Sequence, residues 1–103
     1  MVHIFPFMLA KVSGASMSPG LNQGDLVLIW RTHKVKRNQV VIAQRPGNAK
    51  MLIIKRVLSE TITGYWLQGD NKDYSDDSRI FGEVNKNLIV GKVLFKYWRL
   101  FTN

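Results

Sequence analysis

"MLIIKRVLS", residues 51–59, is an apolar run with a lysine at its centre. Its length and its aliphatic, partly β-branched content read as a β-strand. Side chains alternate between the two faces of a strand. Met51, Ile53, Lys55 and Val57 therefore share one face, and Leu52, Ile54 and Leu58 share the other with Arg56. A lysine in that company is either drawn inward or lies at a strand end, with its ammonium reaching water. The two cases differ chemically. Apolar burial disfavours the charged amine and lowers its pKa, so an inward Lys55 is a candidate base at neutral pH.

Working outward, the other apolar runs have the same character. "DLVLIWR" (25–31), "QVVIAQR" (39–45), "ITGYWLQ" (62–68) and "LIVGKVLFKYW" (88–98) also read as strands. Turn chemistry separates them in "SPGLNQGD" (18–25), "SETITG" (59–64) and "GDNKDYSDDS" (69–78). "RPGNAK" (45–50) joins two strands at hairpin distance. No window sustains a 3.6-residue period, which leaves room for one helical turn after Pro19 or within "DYSDDSR" (73–79). The expectation is a mostly-β fold, a single coiled, barrel-like sheet. A length of 103 residues fits one domain over 1–103.

Composition removes several function classes. With 46% hydrophobic and 21% charged residues the chain is ordinary globular material. It has no cysteine, hence no disulfide, thiolate metal site or cysteine nucleophile. His3 and His33 stand far apart without ligand-like neighbours, which argues against a histidine metal site and a Ser-His-Asp triad. "DNKDYSDDS" (70–78) is dense in oxygen ligands but lacks the spacing and closing glutamate of an EF-hand; Asp70 and Asn71 read as turn formers. No cofactor or metal is expected. The formal charge is +8, with basic residues gathered in "RTHKVKR" (31–37) and near the C-terminus. That pattern suits a solvated loop, an acidic substrate or an anionic membrane surface. Nucleic acid ranks last, because no nucleic-acid module accompanies the charge. "MVHIFPFMLA" (1–10) is apolar but too short to span a bilayer, and Pro6 interrupts it. It has no basic segment ahead of the apolar run, unlike a signal peptide. A cytoplasmic protein follows as the expectation, with weak membrane-peripheral contact left open.

One loop remains. "VSGASMSPGLNQGD" (12–25) sets Ser16 among glycines ahead of a strand. Ser16 is either a turn hydroxyl or a nucleophile. A serine attacks only when something takes its proton. Lys34, Lys36, Lys50 and Lys72 sit in polar loops, where an ammonium stays hydrated, and Lys92 and Lys96 are weaker competitors to Lys55.

Taken together, these stretches resemble the signal peptidase I and LexA-type superfamily of Ser-Lys proteases. "SGASMSPGL" (13–21) is similar to the nucleophile box, and this implies Ser16 as nucleophile. "GDLVLI" (24–29) is similar to the next box. "IIKRV" (53–57) is similar to the box of the general base, implying Lys55. "GDNKDYSDDSRIFGEV" (69–84), followed by "IVGKV" (89–93), matches the signature Gly-Asp-Asn, then Ser-x-Asp-Ser-Arg, then Gly. By that match Ser75 orients the lysine amine, and Asp77 and Arg79 form a supporting ion pair. Four blocks in family order span well over half of the chain, from residue 13 to residue 93.

The chain also departs from the membrane signal peptidases. No transmembrane anchor is evident. Only about a dozen residues separate Lys55 from Gly69, too few for a large second β-domain. Gly14 stands where many signal peptidases carry a serine of the oxyanion hole. Beside the backbone N–H of Ser16, the second donor then falls to the backbone around Gly14 or to Ser13. LexA-type repressors differ too, since they carry a DNA-binding domain and an internal cleavage site ahead of the serine. The compact pattern most resembles the nickel-type superoxide dismutase maturation proteases. The implied activity is that of a serine endopeptidase removing a leader from a precursor protein, with a non-catalytic peptide-binding module as the rival reading.

Overall fold

The computed structural model describes residues 2–74 and 76–97. Eight strands form one sheet: β1 (Val2–Ile4), β2 (Phe7–Lys11), β3 (Leu26–Arg31), β4 (Val40–Arg45), β5 (Asn48–Glu60), β6 (Gly64–Gln68), β7 (Val84–Asn85) and β8 (Ile89–Tyr97). They run in the order β1-β2-β3-β8-β4-β5-β6-β7, and the pairings are antiparallel. One four-residue helix, α1 (Ser78–Phe81), begins at the end of "DYSDDSR" and runs two residues beyond it.

Strand β8 joins the two halves of the chain, pairing with β3 on one side and β4 on the other. The centre of the sheet is buried on both faces. Val41, Ala43, Ile53 and Val57 pack with Tyr65, Leu67, Val84 and Ile89 in one cluster. Ile42 and Ile54 face the other way, toward Met8, Ala10, Met17, Val27 and Ile29. Double burial explains why β4 and β5 read as nearly continuous apolar runs rather than alternating ones. Pro46 and Gly47 turn the chain between them, and Gly47 adopts φ +82, which glycine accepts without strain.

The structure differs from the sequence expectation in several places, and β6 starts at Gly64 rather than Ile62. Strand β5 starts earlier, at Asn48, because the hairpin extends its ladder to the turn itself. The N-terminal apolar stretch, with Pro6 expected only to break it, is a hairpin: Ile4 pairs with Phe7, and Phe5 and Pro6 make the turn. Proline is tolerated there because a turn residue needs no ladder donor. Trp98, at the end of the last expected strand, lies outside the described residues.

Candidate active site

Ser16 lies on the loop between β2 and β3. The loop is closed at its neck by two backbone bonds, Val12 N to Asp25 O at 2.8 Å and Gly24 N to Val12 O at 2.9 Å. Met17, 1% exposed, pins its middle into the core. Asn22 stiffens the return arm. Its amide N–H donates to Asp25 Oδ2 at 2.8 Å, and its Oδ1 accepts from Ser18 Oγ at 2.7 Å. Gly14 takes φ +83, a conformation that L side chains rarely adopt, so a serine at this position would be strained.

The segment after β6 grips the loop from outside. Asn71 N–H donates to Ser16 O at 2.9 Å, and Asn71 Nδ2 donates to Ala15 O at 2.9 Å. Gly69 passes so close that an added Cβ would stand 2.6 Å from Ser16 O. Asn71 does turn the chain, its Oδ1 accepting from Asp73 N at 3.1 Å. The turn-former reading omits its second task, however, which is to hold the Ser16 loop. Asp70 does more than turn the chain as well: it forms a forked ion pair with Arg56, at 2.9 and 2.7 Å.

Lys55 is drawn inward. It is 5% exposed, between Ile54 and the half-buried Arg56, and Val41 of β4 is its register partner. Among the described residues it forms no ion pair. Burial pushes its amine below the ordinary lysine range; Asp77 and Asp76 oppose that shift and Arg79 adds to it. Ser16 and Lys55 line one cleft of about 350 Å³, together with Ser13, Gly14 and Ile54. Ser16 Oγ lies 3.5 Å from Ile54 O, too long for a strong hydrogen bond, so the hydroxyl is not committed there.

Asp77 is fully buried and fully satisfied. Its Oδ1 accepts from Arg79 N at 3.1 Å and Arg79 Nε at 2.9 Å. Its Oδ2 accepts from Arg79 Nη2 at 2.8 Å and Gly69 N at 3.0 Å. Burial alone would raise this carboxyl's pKa. The bonds from Arg79 and from the Gly69 and Arg79 amides outweigh that and hold it below the carboxylate range. Asp77 thus caps α1 and ties it to Gly69, and through that segment to Ser16. Arg79 extends the brace, donating through Nη2 to Tyr74 O at 2.6 Å. Ser78, 1% exposed, accepts from Leu67 N at 2.8 Å and locks the helix to β6. Ser75 lies outside the described residues.

His33 lies away from the residues that line this cleft. His33 Nδ1 lies 2.8 Å from Ile89 O and ties a loop to β8. Among the described residues no group of three or more His, Cys, Asp or Glu side chains is placed to hold a metal ion.

The arrangement is therefore a serine on a braced loop and a buried amine, facing one largely apolar cleft. The sequence profile of the Peptidase S24-like family matches residues 5–94. The chain is 34% identical over 110 residues to mitochondrial inner membrane protease subunit 1 of Mus musculus, covering 84% of this chain and 66% of that protein. It is 33% identical over 112 residues to the Homo sapiens protein of the same name, covering 85% and 68%. With mitochondrial inner membrane protease subunit 2 of Schizosaccharomyces pombe it shares 34% over 111 residues, covering 84% and 62%. This chain belongs to the Peptidase S24-like family. It spans about two thirds of the length of these curated relatives.

Proposed function

We propose that the protein is a serine endopeptidase with Ser16 as nucleophile and Lys55 as general base, organised as one catalytic domain over residues 1–103. The observation that carries this reading is the shared cleft: a lysine with a depressed pKa and a loop serine line the same apolar cavity. Neutral Lys55 takes the Ser16 proton as Oγ attacks a peptide carbonyl, then delivers that proton to the leaving amine. Water, deprotonated by the same amine, hydrolyses the acyl-enzyme. Backbone N–H groups around Ser16 and Gly14, or the Ser13 hydroxyl, receive the developing oxyanion; one such donor is worth roughly 3 kcal/mol. Asp77 and Arg79 hold the segment that braces the serine loop, and Ser75 is assigned to aim the amine.

The substrate is a precursor protein carrying an N-terminal leader. The nickel superoxide dismutase precursor is one candidate. Precursors of membrane proteins form a second class, because the relatives are named as inner membrane proteases. Cleavage followed by intact mass, with wild type beside Ser16→Ala, tests the reading. A single cut made by wild type alone supports it, and an equal cut by both overturns it. Binding of the leader by both proteins with no cut by either favours a non-catalytic module.

A membrane surface replaces the cytoplasm as the place of action. The outer face of β2, β3 and β8 supports this. Phe7 pairs with Trp30, and Leu9 aligns with Leu28 and Phe95 across the strands. Phe7, Trp30 and Phe95 are exposed, as is Phe5 at the neighbouring turn. Strands β1, β2, β3 and β8 contain no carboxylate but carry Lys11, Arg31, Lys92 and Lys96. Exposed aromatic side chains rimmed by cations fit an anionic lipid surface. Among the described residues no helix is long and apolar enough to cross a membrane.

A further inference from the structure

Arg45 and Asp76 form a second forked ion pair, and the dyad chemistry leaves it unused. Arg45 Nη2 lies 2.7 Å from Asp76 Oδ1, and Nε lies 3.1 Å from Oδ2. The guanidinium is held on two further sides. Nη1 donates to Pro46 O at 3.1 Å, and the Phe81 ring centroid lies 5.1 Å from Cζ. An ion pair this exposed contributes little to stability, yet the arginine is fixed by the hairpin turn and by α1. Its position is the informative point. Asp76 lines the cleft that holds Ser16 and Lys55, and Arg45 does not. The pair thus places its acidic member, and not its basic one, on the wall of the cleft that Lys55 lines.

We propose that Asp76 is a positioning residue that sets the protonation of Lys55, and that Arg45 attenuates it from behind. The inference rests on the reading of Lys55 as base. The charged groups around the amine divide by role. Asp77 is saturated by Arg79, so its charge is largely matched at the site. Arg79 opposes the ammonium. Tyr74 and Lys11 line the same cleft. Lys92 stands two strands away in register, across Val41. Asp76 is the carboxylate whose counter-charge comes from outside the cleft. It favours the ammonium, and Arg45 draws its charge away. Burial lowers the lysine's pKa, while Asp77, offset by Arg79, and Asp76 raise it; of these, Asp76 is the contribution that the Arg45 fork adjusts. A purely structural link between the β4–β5 hairpin and α1 would also use these bonds, but it would not move the lysine's titration with opposite signs.

The test is the Lys55 titration itself, followed by the ¹³Cε resonance of labelled lysine in the full chain and assigned with Lys55→Arg. Asp76→Asn moves the titration to lower pH. Arg45→Gln leaves Asp76 unopposed and moves it to higher pH. The double variant falls between Asp76→Asn and wild type, and Arg45→Lys falls between wild type and Arg45→Gln. Titrations that stay in place, or that move the same way in both single variants while thermal melts show intact folds, overturn the proposal. The acid limb of kcat/KM, measured on a cleaved precursor, separates the two readings. If it follows the resonance, both stand. If the resonance moves with opposite signs while the limb stays fixed, the tuning holds and Lys55 is not the base.

Discussion

Asn71 holds Ser16 from outside its loop, through an N–H donated to the Ser16 carbonyl at 2.9 Å and a side-chain amide donated to Ala15 at 2.9 Å. Asn71→Ala keeps the first bond and loses the second, together with the turn bond from Asp73 N to Oδ1. Its cost in stability is about 2 kcal/mol, the worth of two hydrogen bonds. Its cost in turnover is larger, roughly 10- to 100-fold, because small displacements of a nucleophile are expensive. Cleavage rates beside thermal melts measure both. A turnover loss no greater than the stability loss implies would show that the clamp does not position the serine.

Gly69→Ala tests the same contact by crowding. Its Cβ would stand 2.6 Å from Ser16 O, against backbone that cannot swing away. The loop must shift, at a cost of about 1–3 kcal/mol typical of overpacking. Cleavage should fall by at least about tenfold on the same displacement argument, and binding of a leader peptide should weaken less. Gly20→Ala is the control, since its added Cβ meets an ordinary contact at 3.7 Å from Met17 O.

These clamps mark where the reading of the sequence stops. The strands β4 and β5 were legible because both of their faces are buried, which writes the burial into consecutive residues. Alternation put Lys55 with Ile53 and Val57, but its inward placement depends on the flanking strands and loop. The N-terminal hairpin was not legible. Its outer face carries Phe7 and Leu9, so no polar alternation announces a strand, and Pro6 resembles a break until Ile4 and Phe7 are seen to pair. The Asn71 amide and the Arg45–Asp76 fork depend on partners 56 and 31 positions away, which no local pattern encodes.

Lys55→Met separates catalysis from stability. A lysine whose folded pKa is lowered binds fewer protons in the native state than in the unfolded one. Its burial therefore weakens the fold at low and neutral pH, and the penalty fades as pH rises toward the unfolded lysine pKa. Methionine fills the same space without a charge. The variant should lose cleavage and melt at or above the wild-type temperature at neutral pH, at roughly 4–8 °C per kcal/mol recovered. The difference should shrink at alkaline pH. A variant that melts far below wild type would show that the ammonium has a stabilising partner.

Asp77→Ala has the opposite sign. It strips the exposed Arg79 and the Gly69 amide of an acceptor that is itself fully buried. Leaving such donors without their charged partner costs about 1–3 kcal/mol. The wild-type carboxyl is depressed, so its contribution is fully present above the unfolded aspartate pKa and is lost as pH falls through the lower folded value. Acid titration of thermal stability should show a wild-type loss in that acidic window that is absent from Asp77→Ala. Parallel acid curves for the two proteins would mean that other carboxylates dominate.

The apolar face of β2, β3 and β8 carries the last prediction. Trp30 stands edge-on to Phe7, with ring centroids 5.2 Å apart, and Arg31 lies 5.8 Å from the Phe5 ring. Aromatic rings supply insertion into the headgroup region, and the carboxylate-free strands supply attraction to anionic lipid. Wild type should sediment with vesicles containing phosphatidylserine or cardiolipin and far less with phosphatidylcholine alone. Replacing Phe7 and Trp30 with serine should reduce binding by about tenfold or more, on the scale of two lost aromatic side chains. Added salt should weaken binding through Lys11, Arg31 and Lys92. A soluble leader peptide should still be cleaved at the wild-type rate, because neither Phe7 nor Trp30 lines the cleft. If the double variant sediments as wild type does, the face is not the lipid contact, and its aromatic residues await another partner.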